Sequence, residues 1–408
     1  MPIHALTKVL AARLDDMAQS GRLKGRESVI RGVMSARGGR GPRYLIAEEG
    51  DKPFLRMNSN GYLGIALRHE VVAAEEVAAA SLGTGPGAVR FISGTWSTHI
   101  ALEARLAAFH GRAAAMLFSS AYATVMGLIP PLVTDKTAVI SDALNHNCII
   151  NAIALARPAE KHIYAHLDMG ELERALAAAS KRCARAIVVT DGIFSMRGDH
   201  APLDKVMVLA RQYDGAFAEN VIVVVDDSHG VGAFGVTGRG TEEYTASGPA
   251  DLLVATLGKA FGVNGGYVVA DETLIRYLRE TSPFYIYSNP ITPAEAAAAH
   301  KAIDIVDSEA GRATLAHLRA MTARFREGLV KLGLETLAGE HPVVPLMLRD
   351  TPRTAAMVAH LRREGILATG LNYPVVPKGD EEIRFQISAD HTEEDIDAAL
   401  EAIGRFAM

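Results

Sequence analysis

Three short polar segments, each following an apolar run, hold the side chains best suited to chemistry. Val221 to Val225 leads straight into Asp226, Asp227, Ser228 and His229. Leu252 to Ala255 leads into Thr256, Leu257, Gly258 and Lys259, followed by the glycine-rich Phe261-Gly262-Val263-Asn264-Gly265-Gly266. Met116-Leu117-Phe118 ends in Ser119-Ser120-Ala121-Tyr122 ahead of a predicted helix, which offers hydroxyls and N-terminal amides to a phosphate. A lysine, an acid and a phosphate cradle at the ends of strands are the parts that pyridoxal phosphate requires. The lysine forms the Schiff base, and desolvation or a nearby cation makes its ammonium lose a proton more readily. A carboxylate against the pyridine nitrogen keeps the ring protonated, so electrons from a substrate carbanion can drain into it.

Taken singly, each of these residues has a structural explanation. A lone lysine after a strand is commonly a solvated loop residue, and an Asp-Asp pair at a strand end commonly caps the next turn. His146 and His229 would serve as loop or core histidines, and Ser120 and Thr256 as turn residues. Their conjunction is what points to a cofactor site.

The elements that must position them follow from periodicity. Strand-length apolar runs recur at Ala115 to Phe118, Thr137 to Ile140, Ala186 to Val189, Val221 to Val225, Leu252 to Ala255 and Tyr267 to Val269. Between them, Leu102-Leu106-Phe109, Leu172-Leu176 and Val206-Leu209-Tyr213 have helical spacing. This alternation predicts an α/β fold with a mostly parallel central sheet covered by helices. Ligands of such sheets sit beyond the carboxyl ends of the strands.

Upstream, Met1 to Ser20 reads as an amphipathic helix (Leu6, Val9, Leu10, Leu14, Met17), and a Gly/Arg-rich connector leads to a hairpin of Tyr44-Leu-Ile and Phe54-Leu-Arg-Met. Near Pro290 to Pro293 the pattern changes to long helices, Ala294 to Val306 and Thr314 to Leu332. Val343 to Leu348, a helix through Met357 and Leu361, Ile383 to Ile387 and a last helix opened by Thr392 then suit a small α+β domain. The expected division is an N-terminal helix and arm over 1–55, a large domain over 56–290 and a small C-terminal domain over 291–408.

Composition narrows the partners. The 408 residues carry a formal net charge of −5, with 49% apolar and 22% charged side chains. That balance has no long-range pull on nucleic acid or anionic lipid. Cys148 and Cys183 are the only cysteines and form no CxxC, which fits a reducing cytoplasm and excludes a four-cysteine zinc site. There is no HExxH, and no apolar stretch approaches the ~18 residues needed to span a bilayer. Gly83-Thr-Gly-Pro-Gly lacks the GxGxxG spacing and a preceding strand, so a nicotinamide site finds little support.

Nine motifs spread in order from about residue 55 to the C-terminus resemble those of the α-oxoamine synthases. They are Asn58-Ser-Asn-Gly-Tyr-Leu-Gly64, Gly83-Thr-Gly-Pro-Gly, Arg90-Phe-Ile-Ser-Gly-Thr95, Leu102-Glu, Ser141-Asp-Ala-Leu-Asn-His146, Asp191-Gly-Ile-Phe-Ser-Met196, Asp226-Asp-Ser-His229, Thr256-Leu-Gly-Lys259 and Tyr373-Pro-Val-Val-Pro-Lys-Gly379. The resemblance implies the fold type I, aspartate-aminotransferase-like architecture, pyridoxal 5'-phosphate as cofactor, and a homodimer with active sites at the subunit interface. By the same resemblance, Lys259 is the Schiff-base lysine, Asp226 the partner of the pyridine nitrogen, His229 a neighbour of the ring hydroxyl and His146 the ring stacked on the pyridine face. Ser120, Ala121, Tyr122 and Thr256 match phosphate-side positions, and Tyr287 and Ser288 match those that reach the phosphate from the neighbouring subunit. Ser195 matches a serine beside the cofactor. Asn60 and Arg384 match residues holding the amino acid's carboxylate, a role suited to the guanidinium fork. The reaction implied joins a small amino acid, glycine above all, to an acyl-CoA, releasing CoA and giving an α-amino ketone or β-keto amino acid. A pyridoxal-phosphate aldolase or decarboxylase that never uses CoA is the alternative; a non-catalytic partner subunit would be expected to lack the lysine.

Overall fold

The structure, a computed structural model, describes residues 3–20, 22–23, 27–373 and 375–407. Its centre is a seven-stranded sheet in the spatial order Ala114–Phe118, Gly266–Ala270, Leu252–Thr256, Val221–Asp226, Arg185–Asp191, Thr137–Asp142, Glu160–Tyr164. Only Gly266–Ala270 runs against its neighbours; all the other pairings are parallel. Successive side chains of these strands enter different cores. Val139, Ile187, Val189, Val224 and Val254 pack on one face, while Ala138, Ile140, Ala186, Val188, Val223 and Val225 pack on the other. Burial of both faces is why these strands read as continuous apolar runs rather than alternating ones.

Helices Ser97–His110, Ala121–Leu132, Asn147–Ala156, Met169–Ala179 and Leu203–Asp214 connect and cover the strands. An edge strand and the start of a long helix are among the features that differ from the sequence expectation. Glu160–Tyr164 forms the edge strand, where the exposed Lys161 and Ile163 alternate with Glu160 and His162 and the run is too polar to register as a core strand. The helix expected from Thr314 begins at Glu309, because the Ser308 hydroxyl caps it by accepting from the Gly311 amide at 3.1 Å.

The small sheet Val343–Met347, Glu382–Gln386, Thr369–Leu371 is antiparallel and is covered by helices Glu309–Lys331, Thr351–Arg363 and Glu393–Ala407. As the sequence indicates, Thr392 opens the last of these: its hydroxyl accepts from the Asp395 amide at 3.3 Å while Asp395 accepts from the Thr392 amide at 3.1 Å. The expected hairpin forms between Arg43–Ile46 and Pro53–Arg56. Pro53–Arg56 also pairs in parallel with Ile366–Leu367. Beyond it, Met57 O accepts from the Gln386 amide at 2.9 Å and Tyr62 O from the Ala389 amide at 2.7 Å. These bonds bring the Asn58 to Gly64 segment and Arg384 to the same side of the sheet.

Helix His4–Gln19 occupies most of the predicted N-terminal stretch; Met1 and Pro2 lie outside the described residues. Its apolar side chains Leu6, Val9, Leu10 and Leu14 are all exposed. Among the described residues, no helix is long and apolar enough to cross a membrane.

Candidate active site

A cavity of about 240 Å³ opens at the carboxyl ends of the parallel strands. Nine residues singled out from the sequence line it: Ser120, Ala121, Tyr122, His146, Ser195, Asp226, His229, Thr256 and Lys259. Strand register explains the convergence. Asp226 ends its strand beside Val254 on one side and Asp191 on the other, so Lys259, five residues beyond Val254, turns back over the same opening.

The donors and acceptors around the cavity fit pyridoxal phosphate. One Asp226 oxygen, Oδ1, is taken by the Ser228 hydroxyl at 2.5 Å and the Ser228 amide at 3.2 Å. Its Oδ2 has, among the described residues, only the weak thiol donor of Cys148, at 3.6 Å, so it retains capacity for a strong N–H donor such as a protonated pyridine. Among the described residues, the Lys259 amine has no hydrogen bond or ion pair of its own, although Asp226 and Asp191 act on it electrostatically. At the other end, Ser120 caps helix Ala121–Leu132 by accepting from the Ala123 amide at 3.1 Å. That leaves the Ala121 and Tyr122 amides, the first of the helix, without intrahelical acceptors and available to an anion. Gly266 is required there: a Cβ at this position would lie 2.2 Å from the Ala121 nitrogen. Thr256 fixes the turn into the lysine, accepting from the Gly258 amide at 3.0 Å and donating to Gly265 O at 3.1 Å.

Burial sets the protonation of the groups in this cavity. It lowers the Lys259 ammonium from 10.5 to about 8, against the opposing pull of Asp226 and Asp191. His146 is lowered by burial while Asp226 opposes, and His229 is lowered well below its usual value by burial and then by Lys259, so both rings are neutral at pH 7. The His146 Nδ1 accepts from the Cys148 amide at 3.2 Å, which puts the ring proton on Nε2. His229 Nδ1 meets the Tyr62 hydroxyl at 2.7 Å, and that hydroxyl is 3.3 Å from Asn60 Oδ1.

Four cavity residues had no role assigned from the sequence: Cys148, Asp191, Ile193 and Ser228. Asp191 carried a usable signal, since it ends an apolar strand just as Asp226 does. Burial, and next the Asp226 charge, raise the Asp191 carboxyl well above the usual range, and its Oδ2 accepts from the His146 amide at 3.0 Å. The Cys148 thiol, 3.0 Å from His146 Nδ1, is pushed up by burial and by Asp226 and stays protonated. Nothing about a lone cysteine in an apolar helix marks it in advance.

Asn60 and Arg384 do not line this cavity but flank it. Arg384 Nη1 donates to Ser195 O at 2.9 Å, and with the Gln386 amide turned so that its oxygen faces the guanidinium, Gln386 accepts from Arg384 Nε at 2.6 Å and Nη2 at 3.0 Å. Tyr287 and Ser288 are also absent from the lining, and Tyr287 is 80% exposed. In the Tyr373 to Gly379 motif, Pro374 lies outside the described residues.

The Asp-Asp pair divides its labour. While Asp226 faces the cavity, Asp227 is fully buried and does the capping, its Oδ2 accepting from the Thr241 amide at 2.6 Å and its Oδ1 from the Thr241 hydroxyl at 2.7 Å. Burial raises its carboxyl to about 7 despite these donors. Asp227→Ala unpairs both Thr241 groups and is expected to cost about 1–3 kcal/mol. The check is a lower thermal midpoint in a protein that still binds pyridoxal phosphate; an unchanged midpoint would remove the structural role.

The chain is similar to known proteins along most of its length. The profile of the aminotransferase class I and II family matches residues 52–403. The chain is 42% identical to the 2-amino-3-ketobutyrate coenzyme A ligase of Escherichia coli K12 over 351 residues, 85% of this chain and 86% of that protein. It is 37% identical to the 8-amino-7-oxononanoate synthase of Thermosipho melanesiensis over 394 residues, 96% of each chain. Among solved structures, a serine palmitoyltransferase from S. paucimobilis with bound PLP and myriocin superposes with a TM-score of 0.87 at 25% identity, covering 99% of this chain and 98% of that one. A seven-stranded sheet with one reversed strand, a lysine and an aspartate on one cavity, and relatives matched along nearly the whole length lead to one assignment: the chain belongs to the aminotransferase class I and II family and, within it, to the α-oxoamine synthases, pyridoxal-phosphate enzymes that condense an amino acid with an acyl-CoA.

Proposed function

We propose that the amino acid is glycine and that the acyl donor is a short acyl-CoA, as the name 2-amino-3-ketobutyrate coenzyme A ligase indicates for the Escherichia coli relative. What supports the reading is the 42% identity to that relative over 351 residues, together with Lys259 and Asp226 on one cavity. Tyr373 to Gly379 and Asp142 to His146 also resemble the motifs of the glycine-using branch.

When bound, pyridoxal phosphate supplies a carbonyl that condenses with amines and a ring that takes up the electron pair left at the amino acid's Cα. Lys259, Asp226, His146, His229, Ser195 and Thr256 hold it, with Ser120, Ala121 and Tyr122 at the phosphate. Lys259 Nζ, easily deprotonated in its buried setting, is the nucleophile toward the cofactor and then the base that takes the Cα proton. Asp226 would accept the N–H of the ring nitrogen through its open Oδ2 and so favour the protonated ring. His146, with its proton on Nε2, donates toward the thioester oxygen as the acyl group transfers. Arg384 and Asn60 hold the substrate carboxylate.

Tyr287 and Ser288 serve the phosphate of a second copy, so the working enzyme is a homodimer. What supports this is the outward position of Tyr287, together with the exposed Phe91 and Ile92, 68% and 65% accessible in the isolated chain.

Free-thiol release from acyl-CoAs of rising chain length, each with glycine, serine or alanine, tests the substrate assignment. The expected result is turnover greatest with glycine and the shortest chains. Preference for another amino acid or a long chain would refute it, and amino-acid turnover without thiol release would favour the CoA-independent alternative.

A further inference from the structure

Outside the cavity, one cluster of charged groups is tied to it by a short loop. His166 stands between two carboxylates, with Nδ1 3.0 Å from Asp142 Oδ1 and Nε2 3.2 Å from Asp199 Oδ2. Asp142 ends a parallel strand and is 2% exposed; it also accepts from the Leu144 amide at 2.8 Å and the Leu167 amide at 3.0 Å. Asp199 lies at the far end of the loop that runs from Ile193, and it also accepts from Arg197 Nε at 2.8 Å. The Phe194 ring, on the same loop, packs edge-on against the imidazole with centroids 4.4 Å apart. The middle of the loop belongs to the site: Ser195 lines the cavity, and its carbonyl accepts from Arg384.

We propose that His166 is a positioning residue which, as an imidazolium, clamps the Ile193–Asp199 loop to the end of strand Thr137–Asp142 and so fixes the direction in which Arg384 presents its guanidinium to the amino acid's carboxylate. The inference rests on the reading of Arg384 as the carboxylate anchor.

Carboxylates accept and do not donate, so a ring flanked by one on each nitrogen needs both N–H groups to satisfy them. A neutral ring would turn a lone pair toward one of the two. Asp142 is held by two backbone amides as well, whereas Asp199 Oδ1 has no partner among the described residues, so the Asp199 bond is the one that gives way. The backbone supports a built device: Leu167, next to the histidine, is held at φ 60°, a conformation a leucine adopts only where surrounding bonds impose it. Burial by itself would lower the imidazole's affinity for its proton, and the bonds to Asp142 and Asp199 outweigh it, raising His166 to about 9. Asp142, Asp199 and, through Asp199, Arg197 are the charged groups that face it. With the usual value at 6.5, the clamp is fully made below that pH and is lost as pH climbs through about 9.

The test compares His166→Asn with the wild-type holoenzyme, measuring KM for glycine and kcat across pH, with hydrogen exchange of residues 193–199 as a readout independent of turnover. The variant is expected to raise KM about ten-fold near neutral pH, equivalent to about 1.4 kcal/mol, with kcat within about two-fold. Wild-type KM should climb through pH 9 more steeply than that of the variant, since the substrate's own amine titrates alike with both. Exchange of the loop should quicken in the variant. Equal KM values and matching pH profiles for the two proteins would overturn the proposal. Should His166→Asn fail to fold, Asp199→Asn reads the same contact, and its KM should begin its climb at lower pH than wild type. Arg384→Ala separates the anchor from the clamp: a raised KM there with an unaffected His166→Asn overturns the clamp alone, and an unchanged KM in Arg384→Ala overturns the anchor as well.

Discussion

Lys259→Ala is expected to abolish turnover, by about 10³-fold or more, and with it the absorbance band of lysine-linked cofactor. Two separate losses combine. The amine that condenses with the cofactor carbonyl disappears, and so does the base placed to take the Cα proton. The surrounding walls remain, because Lys259 makes no side-chain hydrogen bond or ion pair with the described residues and its removal leaves no partner unsatisfied. The variant should therefore fold with a near-native thermal midpoint and still bind pyridoxal phosphate non-covalently through the Ser120 to Tyr122 cradle and Asp226. The ordering of events in pH is also fixed. An ammonium cannot attack a carbonyl, so the rate at which wild-type apoprotein takes up pyridoxal phosphate should rise as pH passes through about 8 and level off above it. A variant that retains the linked-cofactor spectrum and acyl transfer would show that another amine does the work.

Asp226→Asn should lower kcat by about 10²–10³-fold while leaving KM for the amino acid within a few-fold. An amide at this position keeps the Ser228 contacts but cannot supply the negative charge that holds a proton on the ring nitrogen. The neighbouring Asp191 does not take over: its side chain is engaged with the His146 amide, and burial, with the Asp226 charge behind it, raises its carboxyl well above the usual range. The spectrum of bound cofactor should shift to that of an unprotonated ring and should lose the pH independence that an adjacent carboxylate confers. Titration of that absorbance from pH 5 to 9 is the check. A kcat close to wild type would place the ring nitrogen elsewhere.

How much of this could be read before folding depended on the kind of signal. Strands buried on both faces declared themselves as apolar runs, and the polar residues that ended them marked the cavity. That is why Ser120, Asp226, Thr256 and Lys259 converge in the structure as their sequence context implies. The edge strand Glu160–Tyr164 did not, because one side of it meets water and its composition is that of a surface segment. Within Asp226-Asp227 the sequence could not apportion the cofactor and capping roles. Alternation did so, since successive side chains on a strand point to opposite faces. Asn60 and Arg384 lie beside the cavity through hydrogen bonds between distant segments, Met57 with Gln386 and Tyr62 with Ala389, which no local pattern announces. Cys148 and the His166 clamp are likewise products of packing: each residue is ordinary in its own helix or turn, and its partners come from distant strand ends and a loop.

The relatives matched along the chain include enzymes named for different products.

The chemistry stands on pyridoxal phosphate being attached at one particular amine. Reduction of the holoenzyme with borohydride, followed by proteolysis and mass spectrometry of the peptides, should find the phosphopyridoxyl group on the peptide containing Lys259 and on no other; its recovery on a different lysine, or a protein left unlabelled after reduction, would contradict the assignment at its root.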